Sequence, residues 1–132
     1  MQRLQLAINV SDLDRSVDFY RRVFGTEPAK IRPGYANFAV DSPPLKLVLI
    51  ESPSATTSTL NHLGVEVDGP EDVIAATQRF QSDDLPTRIE DGVECCYARQ
   101  DKVWVSDPDG AEWEFYTVLD DSEVMEPASS CC

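Results

Sequence analysis

Leu4, Leu6, Ile8 and Val10 alternate with Gln5, Ala7 and Asn9, the period of a half-buried strand. Ser11 then marks a helix start, with Asp14 three residues on as a short capping-box variant. Val17, Tyr20, Val23 and Phe24 form the helix's inner stripe, and Gly25 stops it. Three short strands are expected at residues 27–31, 35–40 and 45–50, separated by Pro33-Gly34 and Ser42-Pro43-Pro44. Residues 52–59, rich in Ser, Thr and Pro, read as a linker. The pattern then restarts with an alternating strand at 61–67. Gly69-Pro70-Glu71-Asp72 opens a second helix, with Val73, Ile74, Thr77 and Phe80 facing inward. Strands are expected at 87–90, 95–98, 102–105 and 112–118, with Pro108-Asp109-Gly110 turning into the last.

The halves align when Gln5-Leu-Ala-Ile-Asn-Val is laid over His62-Leu-Gly-Val-Glu-Val, an offset of 57 residues (62 − 5). This predicts an α+β chain of two βαβββ modules that form a cupped mixed sheet around a central site. Module one covers residues 1–51 and module two 60–119 within a single domain, 1–119; residues 120–132 read as an acidic, mobile tail.

Composition removes several function classes. The 132 residues carry 11 basic and 24 acidic side chains, a net charge of −13, which repels nucleic acid and anionic membrane surfaces. The longest apolar run, Leu47-Val48-Leu49-Ile50, is too short to span a bilayer, and the first ten residues alternate rather than form a signal peptide's apolar centre. A cytoplasmic protein is expected, and in that reducing compartment its four cysteines should be thiols rather than a disulfide frame.

All four cysteines lie in vicinal pairs, Cys95-Cys96 and Cys131-Cys132. Neighbouring side chains in a regular strand point to opposite faces, so two sulfurs meeting one partner require a bulge or turn. Two adjacent thiolates suit one soft metal or metalloid centre. In the last strand Trp113 and Phe115 point one way, and Glu112, Glu114 and Tyr116 the other. A buried carboxylate needs a partner. The duplication sets Gln5 opposite His62, so Gln5, His62 and Glu114 become candidate ligands for one divalent ion with open positions left over. Singly, each has a plainer reading: a hydrogen-bonded strand histidine, a surface glutamine, a stray glutamate. Cys95-Cys96 read as buried core would explain one sulfur but not both. Neither a Gly-rich phosphate loop nor a Ser/His/Asp set is present.

The phrases FYRRVFGTEPAK, RPGYANFAV, PPLKLVLIE, TLNHLGVEV, CCYARQDKVWV and WEFYTVL together resemble the vicinal oxygen chelate superfamily of glyoxalase, bleomycin-resistance and extradiol dioxygenase proteins. Within it the chain looks most like the organoarsenical carbon–arsenic lyases and related cadmium-induced proteins. The resemblance covers residues 2–119 and implies the paired βαβββ fold. It also implies an iron(II)-dependent dioxygenase, with dioxygen as co-substrate, that cleaves the C–As bond of trivalent organoarsenicals to give arsenite. It places the metal ligands on Gln5, His62 and Glu114 and the arsenic-binding thiols on Cys95 and Cys96. Tyr97, Lys102, Cys131 and Cys132 are accessory candidates, and either a monomer or a homodimer is compatible. Rival expectations are thiol-based sequestration of cadmium or arsenite, a glyoxalase-type isomerase and a bleomycin-type drug trap. The isomerase needs four ligands, and the first-half counterpart of Glu114, expected near Lys46-Leu47, offers no carboxylate.

Overall fold

The alternation at the start of the chain becomes β1 (Arg3–Val10), and the first helix, α1 (Leu13–Phe24), follows it directly. Its N-cap is Asp12 rather than Ser11: the Asp12 carboxylate accepts from Arg15 N at 3.1 Å. Gly25 ends the helix at φ 61°, a left-handed conformation that glycine adopts without a Cβ penalty. The computed structural model describes residues 2–52 and 59–125; most of the expected linker at 52–59 and the residues from 126 onward lie outside them. After α1 come β2 (Lys30–Arg32), β3 (Tyr35–Val40), β4 (Leu45–Glu51), β5 (Leu60–Glu66), α2 (Pro70–Ser82), β6 (Arg88–Cys95), β7 (Ala98–Ser106) and β8 (Glu112–Asp121). The element order is βαβββ twice, the expected α+β pattern.

The chain comprises two compact units, residues 4–61 and residues 62–132 together with 1–3. In the first, the strands run β2-β3-β4-β1, with β1 parallel to β4 and the other pairs antiparallel. Its core joins Leu13, Ala36, Phe38, Val40, Leu47 and Leu49, with Val17, Tyr20 and Phe24 packed from α1. Val23, assigned to that stripe from spacing, is 55% exposed because it lies at the stripe's margin. Leu4 and Leu6 are also more exposed than their alternation suggests, while Gln5 and Ala7 beside them are buried. The better-buried side of early β1 is therefore the one that carries the amide.

The second unit repeats the plan as β5-β8-β7-β6, with β5 parallel to β8. Its core gathers Val67, Val73, Ala76, Phe80 and Val103, with Val65, Val105 and Phe115 against them. On α2 the buried face is Val73, Ala76, Thr77 and Phe80; Ile74 is 57% exposed, so the stripe is rotated from the one expected. The strand expected at 87–90 continues through Cys95 as β6, with a register shift between Glu90 and Val93. Gly92 sits in that shift at φ 63°. The last strand runs three residues past the expected 118, through Asp121.

Candidate functional site

Three parallel facts of strand geometry build the site in the second unit. β5 carries His62, β8 carries Glu114 and β7 carries Lys102, each buried at 4%, 3% and 1% exposure. All three lie on the side of the sheet away from Val65, Val103 and Phe115, as strict alternation along each strand requires. His62 Nε2 lies 2.6 Å from Glu114 Oε2, and Lys102 Nζ donates to Glu114 Oε1 at 2.7 Å. The carboxylate is thus held from both sides. Burial pushes its carboxyl upward, but the Lys102 ammonium and the His62 ring more than offset this and hold it at about 2. The Trp104 ring stands edge-on to the His62 ring at 5.2 Å, and its Nε1 donates to Glu90 Oε1 at 2.9 Å. Tyr116, on the same strand face as Glu114, donates its hydroxyl to Glu66 Oε1 at 3.1 Å. Burial, then the charges of Glu114 and Glu66, raises its phenol well above the ordinary value.

The vicinal cysteines occupy the hairpin between β6 and β7. Cys95 pairs with Ala98, leaving Cys96 and Tyr97 as a two-residue turn, at φ 49° and 60°. Positive φ at both central residues is the primed-turn geometry that matches strand twist, normally filled by Asn and Gly. The expected strand through 95–98 is therefore a turn, and the suspected loop at 91–100 is a strand–turn–strand. Cys95 is fully buried and Cys96 half-buried. Lys102 Nζ reaches Cys95 Sγ at 3.4 Å, and Gln100 Nε2 donates to Cys95 O at 2.9 Å. One ammonium therefore links the Cys95 sulfur to the Glu114 carboxylate. Lys102 is one of the accessory candidates, whereas Gln100 is not; in the sequence, the even spacing of both from Trp104 along β7 betrays a shared face.

The two sulfurs differ in state. Cys95 carries a thiol outside any disulfide, whereas Cys96 is disulfide-bonded. This corrects the expectation of four thiols. The remaining cysteines of the chain are Cys131 and Cys132, which lie outside the described residues.

Gln5 belongs to the other unit, where it is buried at 4% and registered against Lys46 of β4. Strand register also identifies the true counterpart of Glu114. Gly64 pairs with Glu114 in the second unit and Ala7 pairs with Val48 in the first, so the equivalent of Glu114 is Val48 rather than Lys46 or Leu47. It too lacks a carboxylate.

An imidazole nitrogen and a carboxylate oxygen within hydrogen-bond distance, both buried, form a donor pair whose chemistry suits a divalent metal. Among the described residues no group of three or more His, Cys, Asp and Glu side chains forms a metal cluster.

A family model described as the glyoxalase/bleomycin resistance protein/dioxygenase superfamily matches residues 2–115. The chain is 57% identical over 125 residues to a cadmium-induced protein, CadI, of Mycobacterium tuberculosis, covering 95% of this chain and 82% of that one. It is 51% identical over 134 residues to a trivalent organoarsenical cleaving enzyme of Thermomonospora curvata, covering 100% and 89%. Among solved structures, an extradiol ring-cleaving dioxygenase from B. fuscum aligns with TM-score 0.64 at 23% identity, over 92% of this chain and 34% of that chain. Methylmalonyl-CoA epimerase from Mycobacterium tuberculosis aligns with TM-score 0.64 at 16% identity, over 87% and 86%. These likenesses match the vicinal oxygen chelate fold.

Proposed function

The chain belongs to the glyoxalase/bleomycin resistance protein/dioxygenase superfamily, and on that premise we propose that it is an iron(II)-dependent dioxygenase. It cleaves the C–As bond of trivalent organoarsenicals such as methylarsenite, releasing arsenite. The observation that carries this reading is the Lys102 link: a thiol suited to arsenic and a carboxylate suited to a metal share one buried cation. The organoarsenical-cleaving relative at 51% identity supports the same substrate class.

The protein's own groups do the following. With Cys96 reduced, Cys95 and Cys96 exchange for the two oxygens on arsenic. Each exchange forms an As–S bond, breaks an As–O bond and releases water with the thiol proton. The organic group is then the one arsenic substituent left to face the reacting centre, and its orientation is fixed before chemistry begins. Lys102 keeps a positive charge beside Cys95, which favours the thiolate, the form that ligates. Its second bond holds Glu114 ionised, and His62 and Glu114 supply imidazole and carboxylate donors, with Gln5 assigned as the third by the resemblance. When bound there, iron(II) would supply the activation of dioxygen that the cleavage needs. The Trp104 ring and the packed strand face exclude water from His62. Tyr97 lies in the turn itself and sets its shape.

Sequestration is the second reading, favoured by the likeness to proteins named cadmium-induced. It needs the thiols and not the metal donors. Reduced protein is loaded anaerobically with iron(II), then given methylarsenite and air while arsenic speciation is followed. Arsenite should form with wild type and not with Glu114→Gln or Cys95→Ser/Cys96→Ser. Retention of methylarsenite without conversion by iron-loaded wild type would establish sequestration instead.

A further inference from the structure

The segment that follows β8 is bonded to the cysteine turn. Ser122 N donates to Tyr97 O at 3.0 Å, Tyr97 N donates to Val124 O at 3.0 Å, and Cys96 N donates to Met125 O. Both turn residues are therefore held through their backbone by residues 122–125, a strap laid along the turn. Ser122 is also held through its side chain: Oγ donates to Glu94 Oε2 at 2.6 Å, near the end of β6, and accepts from Val124 N at 3.1 Å, the short-range bond of a serine turn. At a surface hairpin water would satisfy these backbone groups; here the strap does. None of these bonds uses a sulfur, so they do not depend on whether Cys96 is oxidised.

We propose that the strap is a latch: Cys95 reaches solvent only when residues 122–125 let go of the turn, and the Ser122–Glu94 bond sets how often they do. That the incoming reagent is a trivalent organoarsenical rests on the function proposed above; the latch itself does not. Burial supplies the first half of the argument. Cys95 is 0% exposed, with its sulfur 3.4 Å from Lys102 Nζ, so a reagent in solvent meets that sulfur only after the turn moves. The turn cannot swing without pulling Cys96 N and both backbone groups of Tyr97 off their strap partners. Backbone conformation supplies the second half. Cys96 and Tyr97 hold φ of 49° and 60°, a conformation that residues with a Cβ keep only where their surroundings impose it. With the strap bonds lost, the turn relaxes, so closed and open are two discrete arrangements. The strap is also weakly anchored. Glu123 and Val124 are exposed, and Ser122 and Met125 only half-buried, so it opens far more readily than the sheet beneath it. An arsenical that bonds first to the half-buried, reduced Cys96 then needs the latch open to complete its second bond, to Cys95.

The test uses full-length reduced protein and iodoacetamide, with alkylation at Cys95 mapped by fragment mass spectrometry and amide hydrogen exchange measured alongside. Labelling of a buried thiol through a local opening tracks the open population. Loss of one hydrogen bond to a carboxylate raises that population about tenfold. Ser122→Ala and Glu94→Ala should therefore each speed alkylation of Cys95 about tenfold, and the double variant by less than the product, because the two residues share a bond. Ser122→Thr, which keeps the hydroxyl, should label at the wild-type rate. Exchange at the Cys96 and Tyr97 amides should rise by the same factor while the amides of α2, in the same unit, stay protected. Wild-type labelling of Cys95 in both alanine variants overturns the latch. So does exchange that rises equally in α2, which would mean general loosening. Neither readout needs iron, oxygen or arsenic. If the variants label faster but iron-loaded wild type never cleaves methylarsenite, the latch stands and the lyase reading fails. If wild type cleaves methylarsenite while both variants label at its rate, the lyase reading stands and the latch fails.

Discussion

Lys102 and Glu114 form a buried ion pair, Nζ to Oε1 at 2.7 Å, with side chains 1% and 4% exposed. Its energetic meaning is asymmetric. A buried pair contributes little over an apolar substitute, but removing one partner strands the other's charge and costs about 3–5 kcal/mol. Lys102→Met should therefore lower the unfolding free energy by about that much, and it should also slow alkylation of Cys95. Urea denaturation followed by circular dichroism measures the first effect and iodoacetamide mapping the second. Unchanged stability would mean that His62 alone suffices to hold the carboxylate.

The acid limb of stability should carry the signature of Glu114. Its carboxyl titrates at about 2 in the fold against 4.5 ordinarily. A depressed folded value means stability that is present above the ordinary range and lost as pH falls through about 2. The expected loss in metal-free protein is about 3 kcal/mol. Denaturation midpoints measured from pH 6 downward should fall for wild type and fall less steeply for Glu114→Gln.

Cys95 should be inert as long as the fold is intact. Its sulfur is fully buried beneath the turn, so iodoacetamide should modify it at least about tenfold more slowly in the native protein than in urea, since reactivity tracks exposure of the thiolate. Equal rates would show that the turn opens on the reagent's timescale.

Gly92 should resist substitution by a modest margin. An added Cβ would meet only Arg99 Nη1, at 3.8 Å, but the residue sits at φ 63° in the β6 bulge. Gly92→Ala should cost about 1–2 kcal/mol through backbone strain alone. Thermal melts would register it, and an unaltered arsenical-binding stoichiometry would show that the hairpin keeps its register.

Local pattern settled most of the scaffold. The duplicated βαβββ order follows from hydrophobic periods of two and 3.6, and from Gly25 and Gly69-Pro70, which act within a few residues of themselves. Alternation likewise fixed which face Glu114 occupies, because in a strand that choice has only two answers. Family phrases pointed to His62, Glu114 and the Cys95-Cys96 pair. What the sequence left open depends on contacts between residues distant along the chain. Lys102 is an accessory candidate without a defined role until β7 lies between β6 and β8, where one ammonium reaches both the sulfur and the carboxylate. Asp12 took the cap from Ser11, and Ile74 and Val23 turned outward, because packing chooses among positions that periodicity leaves nearly equivalent. The acidic residues after 119 carry no hydrophobic period, and no local rule predicts their strap. It exists because Cys96 and Tyr97, held at positive φ, turn their backbone groups toward a segment 25–29 residues downstream, a pairing that only the folded chain brings within reach.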